Sequence, residues 1–125
     1  MESGFNRATV RGVIVETPQL KKGCVFFTLA WMNSAGAKIN YVKCALFGTQ
    51  AVDFAKTVAI NSTMIVDGYL DTIIFTSYVG VRVVVNSYFL QHGPSQNNAY
   101  ISQMYQESVT NKLKRDDYND PFLLQ

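Results

Sequence analysis

The sequence predicts an all-β fold, a small five-stranded barrel with one short helix and a flexible or partly helical C-terminal segment. β-Branched and aromatic residues dominate the chain up to Leu90, and turn residues interrupt them every ten to twenty positions. Within this stretch, residues 50–59 change to the spacing of a helix. The length of 125 residues is that of one ordinary domain, so a single barrel can account for all the strands.

Each predicted strand is bounded by turn residues. The first strand ends at Thr17 and Pro18, the second is entered through Gly23, and the third stops at Gly48. A fourth, long strand contains Gly68, which predicts a bulge or a sharp bend. The five predicted strands cover residues 7–16, 24–31, 38–47, 64–76 and 81–90.

The predicted helix lies between the third and fourth strands. Ala51, Phe54 and Val58 recur there at helical spacing. Five strands with one helix in this place is the order of an OB-fold, a Greek-key barrel that commonly binds oligonucleotides or oligosaccharides. We therefore predict an OB-fold barrel.

The composition of the chain changes after residue 92. We predict a binding domain over residues 1–92, a polar and partly helical linker over 93–115, and an acidic tail over 116–125. Residues 1–95 hold eight basic and five acidic residues, a charge of +3, whereas residues 96–125 hold three basic and four acidic residues, a charge of −1. A mildly basic body with an acidic end is typical of a polyanion-binding domain with a separate tail.

Residues that support catalysis are scarce. Cys24 and Cys44 lie in apolar strand segments and are predicted to be buried thiols. His92 is the single histidine, which argues against a zinc site, and nothing in the sequence places a nucleophile beside it for a Ser-His-Asp triad. The sequence also lacks a glycine-rich phosphate-binding loop, and we predict a non-enzymatic protein without a metal ion or a cofactor.

The sequence gives no sign of a membrane location. No apolar run approaches the roughly 20 residues of a membrane-spanning helix. The first residues do not have the basic and apolar regions of a secretory signal. We therefore expect an intracellular protein without a membrane partner.

Strand alternation divides the side chains of the third strand between two faces. Cys44 and Leu46 are predicted to point into the barrel, whereas Tyr41, Lys43 and Phe47 point out. Exposed aromatic side chains usually serve contact. Rings on either side of a lysine offer flat faces for bases and a cation for phosphate, which favours single strands bound by stacking with little sequence preference.

Other strands add to this outward surface. Arg7 and Arg11 are predicted to point out from the first strand and Phe75 from the fourth, where Leu70 is predicted to point in. Trp31 lies near the rim of the surface, and one lysine comes from the helix. The candidate nucleic-acid-binding residues are Arg7, Arg11, Trp31, Tyr41, Lys43, Phe47, Lys56 and Phe75.

Two other functions fit an outward aromatic face. Such a face can pack against protein, which would make the chain an OB-fold interaction subunit of a replication-restart or assembly complex. Stacking faces also suit sugars, although the basic residues favour a polyanion.

Four segments carry a family resemblance. Asn6 and Arg7 followed by Gly12 begin it, and the pattern Gly-x-Val-x-Phe-x-Leu-Ala follows at residues 23–30. Residues 41–48, Tyr-Val-Lys-Cys-Ala-Leu-Phe-Gly, are similar to a W-x-x-v-x-F-G segment, and residues 66–72 to v-e-G-x-L-r-T. In order and spacing these motifs resemble the bacterial single-stranded DNA-binding protein family, including versions encoded by bacteriophages.

The resemblance implies an OB-fold that coats single-stranded DNA during replication, recombination and repair. The family's assembly is usually a homotetramer, with a dimer as the alternative. Its stacking and backbone-binding positions correspond to Tyr41, Phe47, Phe75, Arg7 and Lys43, and Trp31 sits near a further tryptophan position. RNA is expected to bind more weakly than DNA. The expected location is the cytoplasm or nucleoid of a bacterial host.

The end of the chain resembles the acidic tip through which the family recruits partner proteins. The corresponding residues are Asp116, Asp117, Asp120, Pro121 and Phe122. In the family the chain ends at that phenylalanine, whereas Leu123, Leu124 and Gln125 follow here. The resemblance therefore implies that replication or recombination proteins bind the tail, in a sequence that departs from the usual pattern.

Overall fold

A computed structural model of the protein describes residues 4–33, 38–74, 76 and 79–116, with side chains in the final helix up to residue 111. The structure is mostly β, with six strands and two helices in the described residues. The strands are β1 (Ala8–Ile14), β2 (Gln19–Lys21), β3 (Cys24–Met32), β4 (Ile39–Phe47), β5 (Thr63–Ile74) and β6 (Val79–His92). The helices are α1 (Thr49–Thr57) and α2 (Gln96–Asp116).

The six strands form one sheet that closes on itself. Their order is β1-β5-β6-β4-β3-β2, and β1 also pairs with β3. All pairs are antiparallel except β4 with β6, which is parallel. The five longer strands therefore make a continuous cycle of pairings, which is compatible with an OB-like barrel.

The number of strands and the position of the first helix in the strand order differ from the prediction. β2 is an additional short strand of three exposed residues paired with β3. The helical spacing over residues 50–59 corresponds to α1, which consequently follows the fourth of six strands and not the third of five. A strand of three residues, all of them exposed, is too short to show a hydrophobic pattern, and for this reason the sequence does not reveal it.

The core lies inside the ring of strands. Ile14, Leu29 and Leu46 are fully buried there, and α1 contributes Phe54. The Phe54 ring stacks on Phe27 with 4.5 Å between ring centroids. Fully burying an apolar side chain of this size stabilises the fold by about 1.5–3 kcal/mol, so the inward residues of the strands and of α1 hold the scaffold together.

The bulge predicted at Gly68 is confirmed. The β5–β6 register shifts between Asp67 and Gly68. A Cβ atom at Gly68 would lie 1.9 Å from the carbonyl oxygen of Val84, so the two backbones approach as closely as only glycine allows.

The inward orientation predicted for Leu70 is wrong. β5 continues past the core after Gly68, and the side chain of Leu70 is 49% exposed. Further along the same hairpin, Ile74, Val79 and Val81 are exposed as well. Alternation assigns a side chain to one face of a strand, but whether that face is covered depends on the neighbouring elements.

The segment after residue 92 is more ordered than the sequence pattern predicts. α2 is a continuous helix of 21 residues. It packs on the outside of the sheet, where Tyr105 is buried with Val13, Val15 and Ala30. The domain limits at residues 92 and 115 remain predictions. Of the tail residues, Asp116 ends α2, whereas Asp117, Asp120, Pro121 and Phe122 lie outside the described residues.

Both cysteines are free and buried, as the sequence predicts. Burial raises the pKa of the Cys44 thiol to about 12, so the thiol stays protonated at neutral pH. Neither described helix is long and apolar enough to cross a membrane.

Candidate nucleic-acid interface

The outer surface of β4 carries the candidate aromatic residues. The side chains of Tyr41 and Phe47 are 42% and 50% exposed, and Lys43 between them is also exposed. The inward partners Cys44 and Leu46 are buried in the core. The structure therefore brings three of the predicted site residues onto one face of a single strand.

A groove lies beside this strand on the same outer surface. Its volume is about 360 Å³, and its wall includes Phe26, Lys43, Ile73, Arg82 and Glu16. Phe26 is opposite Ala45 in the β3–β4 pairing, and Arg82 is opposite Lys43 in the parallel β4–β6 pairing. The groove thus combines an exposed aromatic ring with two neighbouring cations.

Arg82 links the groove to Phe47. Its guanidinium carbon lies 5.6 Å from the centroid of the Phe47 ring, within the range of a cation–π contact. Its Nε donates a hydrogen bond of 2.9 Å to Asp71 across the β5–β6 pairing. The arginine is therefore held in place beside the exposed ring.

Arg82 and Phe26 are site residues that sequence reasoning missed. Arg82 interrupts the valine run at residues 81–85, and strand alternation alone would have pointed it outward. The same alternation separates Phe26 from the inward residues Val25 and Phe27. The signal was thus present on both strands.

Glu16 is at the centre of a hydrogen-bond network at one end of the groove. Its Oε1 accepts from the Thr28 hydroxyl at 3.0 Å, the Lys43 ammonium at 3.0 Å and the Tyr105 hydroxyl at 2.7 Å. Lys43 also donates to the Thr28 oxygen at 3.0 Å. The lysine predicted to meet a phosphate is therefore already paired with a carboxylate.

The network keeps Glu16 ionised and Tyr105 protonated. Burial raises the pKa of Glu16, but hydrogen bonds from Tyr105, Lys43 and Thr28 outweigh burial and bring the pKa below its ordinary value of 4.5. Burial and the neighbouring Glu16 carboxylate both raise the pKa of the Tyr105 phenol. Near neutral pH the tyrosine is accordingly a donor and the glutamate an acceptor.

α2 covers the part of the outer surface next to the groove. We call Val13, Val15 and Ala30, which are buried beneath Tyr105, the covered half. Tyr41 lies at the border, where its ring meets the Tyr105 ring edge-on at a centroid distance of 5.1 Å and an angle of 76°. Tyr41 is thus exposed in part, while its ring packs against Tyr105 of α2.

Two other predicted residues belong to a separate pocket. Arg11 and Trp31 line a smaller space of about 210 Å³, next to Asn98 and Ile101 of α2. The Arg11 Nε donates to the Gln91 side chain at 2.6 Å. Arg11 and Lys43 line different pockets, which share no lining residue among those described, so the structure does not bring these two cations into one pocket. The single outward surface predicted for them stays a prediction.

Arg7 and Lys56 line neither of these pockets. Arg7 forms an ion pair with Asp67 at 3.1 Å, and hydrogen bonds from Arg7 and then Thr9 lower the pKa of that aspartate. Lys56 is exposed in the last turn of α1. Phe75 lies outside the described residues. In the part of the chain that is described, no three His, Cys, Asp or Glu side chains are grouped to hold a metal ion.

Comparison with known proteins gives a result for the fold. No protein-family model matches the sequence, and no curated protein does. Two crystal structures of the mitochondrial single-stranded DNA-binding protein Rim1 from S. cerevisiae, one of them selenomethionine-labelled, are similar in structure. Both have a TM-score of 0.66 and align over 74% of this chain and 100% of theirs.

This chain has the fold of Rim1. The sequence identities are 13% and 12%, so the likeness concerns the backbone and does not transfer individual residues. Residue roles in this chain therefore rest on its own geometry.

Proposed function

We propose that this protein binds single-stranded DNA with little sequence preference, by base stacking and phosphate contact. The observation that carries the proposal is the exposed Phe47 ring with the Arg82 guanidinium 5.6 Å from its centroid. The fold shared with Rim1, which is named as a single-stranded DNA-binding protein, supports it.

The chemistry of the groove favours unpaired strands. A base can stack on an exposed ring only when it has left the duplex, and each such stack contributes about 1–3 kcal/mol. Phe26 and Phe47 offer rings on neighbouring strands; Lys43 and Arg82 line the groove with Phe26, and Arg82 also contacts the Phe47 ring. A single strand presents bases, which can stack on the rings, and phosphates, which can pair with the cations.

The polar groups around the groove support a lack of sequence preference. The Lys43 ammonium is hydrogen-bonded to Glu16, and Arg82 is bonded to Asp71. Sequence reading needs donors and acceptors directed at base edges. Groups already paired with carboxylates are poorly suited to that task, whereas stacking accepts every base.

The proposed biological role is non-catalytic protection of single strands in replication, recombination or repair. It includes a homotetramer, or else a dimer, in the cytoplasm or nucleoid of a bacterial host, and weaker binding of RNA. Recruitment of replication or recombination proteins by residues 116–122 belongs to the same proposal. These points follow from the family resemblance of the sequence motifs.

A second candidate function is an OB-fold interaction subunit of a replication-restart or assembly complex. The observation that favours it is the exposed apolar end of the β5–β6 hairpin, with Leu70, Ile74, Val79 and Val81. Apolar residues concentrated on one exposed element are typical of protein contact. This candidate predicts no measurable affinity for DNA.

Titration with fluorescently labelled oligo(dT) tests both candidates. We expect saturable binding that weakens with salt, by about 0.7 in log K per unit of log salt concentration for each phosphate neutralised. Oligo(dA) should bind with similar affinity, oligo(U) more weakly, and a duplex of the same length much more weakly. Equal binding of duplex and single strand, or none of either, would contradict the proposal. Light scattering with and without oligo(dT) measures the assembly.

A further inference from the structure

Glu16 connects the groove to α2. Side chains of three elements donate hydrogen bonds to the same carboxylate oxygen, Oε1: Thr28 from β3, Lys43 from β4 and Tyr105 from α2. The carboxylate is partly exposed, and the groove is lined by Glu16 and Lys43 together. A change in the contacts of Lys43 therefore alters the surroundings of Glu16, which also bonds to Tyr105 of α2.

A carboxylate and a phosphate compete for the same donor. Both present anionic oxygens that accept charge-assisted hydrogen bonds from an ammonium group. Lys43 lines the groove and is 3.0 Å from Glu16, so a phosphate that binds this lysine competes with the carboxylate for the donors of the ammonium group. Arg82 is paired with Asp71 through its Nε, so a phosphate there likewise meets a carboxylate beside the cation.

We propose that Glu16 competes with the phosphates of a bound strand for Lys43, and that its bond to Tyr105 links this competition to the attachment of α2. The inference rests on the proposed single-strand binding and adds a regulation of that site. By thermodynamic reciprocity, whatever loosens this bond strengthens strand binding by the same factor as strand binding loosens the bond.

The physical reason for the link is charge repulsion. Once a phosphate occupies Lys43, Glu16 has lost one donor and faces a second anion at close range. Turning the carboxylate away relieves the repulsion but breaks its bond to Tyr105. Strand binding then weakens one of the contacts that hold α2 on the covered half.

The two ends of α2 are attached differently. Asn98 donates to the Asn61 carbonyl at 2.8 Å and to Thr63 at 2.7 Å, which fixes the first turns of the helix. Tyr105 and Val109 make the apolar contacts further along. The loosening should therefore be confined to residues 106–111 and leave the beginning of α2 in place.

The affinity test compares Glu16→Gln with Glu107→Gln. Both variants lose one negative charge, but Glu107 is on the exposed side of α2 and contacts Gln103. We expect Glu16→Gln to bind labelled oligo(dT) about three- to tenfold more tightly than the wild type at low salt, and Glu107→Gln to change the affinity less than about twofold. Equal effects of the two variants would overturn the competition.

Tyr105→Phe tests the link without altering a charge. It removes the hydroxyl that donates to Glu16 and keeps the ring that packs on the covered half. Reciprocity requires this variant to bind oligo(dT) about two- to fivefold more tightly. Hydrogen exchange of the wild type should also become faster at residues 106–111 when oligo(dT) is added; unchanged or slower exchange there would overturn the link.

These outcomes separate the inference from the proposed function. If the wild type does not bind oligo(dT), the proposed function fails and the inference with it. If the wild type binds, but Glu16→Gln is no tighter than Glu107→Gln, the proposed function stands and the inference is wrong. Should Glu16→Gln fail to fold, Tyr105→Phe and the exchange measurement decide.

Discussion

The covered half and the groove are built on the same strands but with different chemistry. On β3, Ala30 is fully buried beneath α2, whereas Phe26, four residues earlier on the same face, is exposed in the groove. The covered half uses small apolar residues that let a helix approach, and the groove uses rings and cations. The difference shows that neighbouring parts of one outer surface can be built for two purposes, one covered by a helix and the other left open to solvent.

Tyr41 shows where the two halves meet. It is 42% exposed, and its ring contacts the Tyr105 ring of α2. Phe47, on the same face of β4, contacts the side chain of Arg82 instead of a helix. We therefore expect residues of the covered half to affect stability and residues of the groove to affect binding.

The largest expected effect breaks the covered half. Tyr105→Ala should lower the free energy of unfolding by about 3 kcal/mol, because it removes a buried ring and leaves a cavity under α2. Tyr100→Ala is the matched control, since Tyr100 is exposed on the same helix, and it should change stability by less than about 0.5 kcal/mol. Urea unfolding measures both. Equal losses would mean that Tyr105 does not anchor the helix.

A smaller effect concerns Phe47, the exposed ring that Arg82 connects to the groove. Phe47→Ala should reduce the free energy of oligo(dT) binding by about 1–3 kcal/mol through loss of one stacking ring, with little change in stability. Phe89→Ala is the control, because Phe89 is equally an exposed phenylalanine, on β6 opposite Ile65. Tyr41→Ala should weaken binding to every base sequence alike.

Fluorescence anisotropy titrations of these variants with labelled oligo(dT) test whether the strand contacts Phe47 and Tyr41. If Phe89→Ala weakens binding as much as Phe47→Ala, the strand follows another surface of the barrel. A selective loss for one base sequence in Tyr41→Ala would indicate reading of base edges and contradict stacking.

The smallest expected effect concerns the pH dependence of stability through Glu16, which lies between the groove and α2. The pKa of Glu16 is lower in the folded protein than its ordinary 4.5, so its interactions stabilise the fold fully above that pH. This contribution is lost as the pH falls through the lowered value. Because the Lys43 and Glu16 side chains are 54% and 40% exposed, the difference in stability between wild type and Glu16→Gln should be below about 1 kcal/mol at pH 7.

Urea unfolding of both proteins between pH 7 and pH 3 checks this prediction. The difference should shrink toward acidic pH and also in high salt, which screens the ion pair. A difference that grows toward acidic pH would show that the sign is wrong.

Local patterns in the sequence predict much of the scaffold. Alternation along β4 identifies which of its side chains face the core, and helical spacing identifies α1. Gly68 marks the irregular point of the β5–β6 pairing because the Val84 backbone approaches there too closely for a side chain. Each of these features is decided by residues that are neighbours in the chain.

Two features that sequence missed have different causes. β2 is local: it forms through a tight turn at Lys22 and Gly23, both with positive φ angles, and its three exposed residues are too few to show a pattern. The packing of α2 depends on Tyr105, which meets Glu16 from 89 positions away. Pattern reasoning evaluates one element at a time, so it cannot assign such partners.

The candidate site was predicted in part for the same reason. Alternation predicts that Lys43 points outward, but its partner Glu16 is 27 positions earlier. The ion pair of Arg7 with Asp67 joins residues 60 positions apart. Counting basic residues on a surface therefore overestimates how many of them are available to phosphates.

Closure of the strand cycle has a consequence for crowding. In the described structure each of the five longer strands has partners on two sides, and the three-residue β2 has one. Free strand edges are where separate molecules add to one another's sheets and begin to aggregate. Proteins lined up side by side on a polymer would meet at very high local density, and in the described structure the edges left for such fusion include the part of β5 after Gly68 and the part of β6 after Val84, which each pair with one strand only.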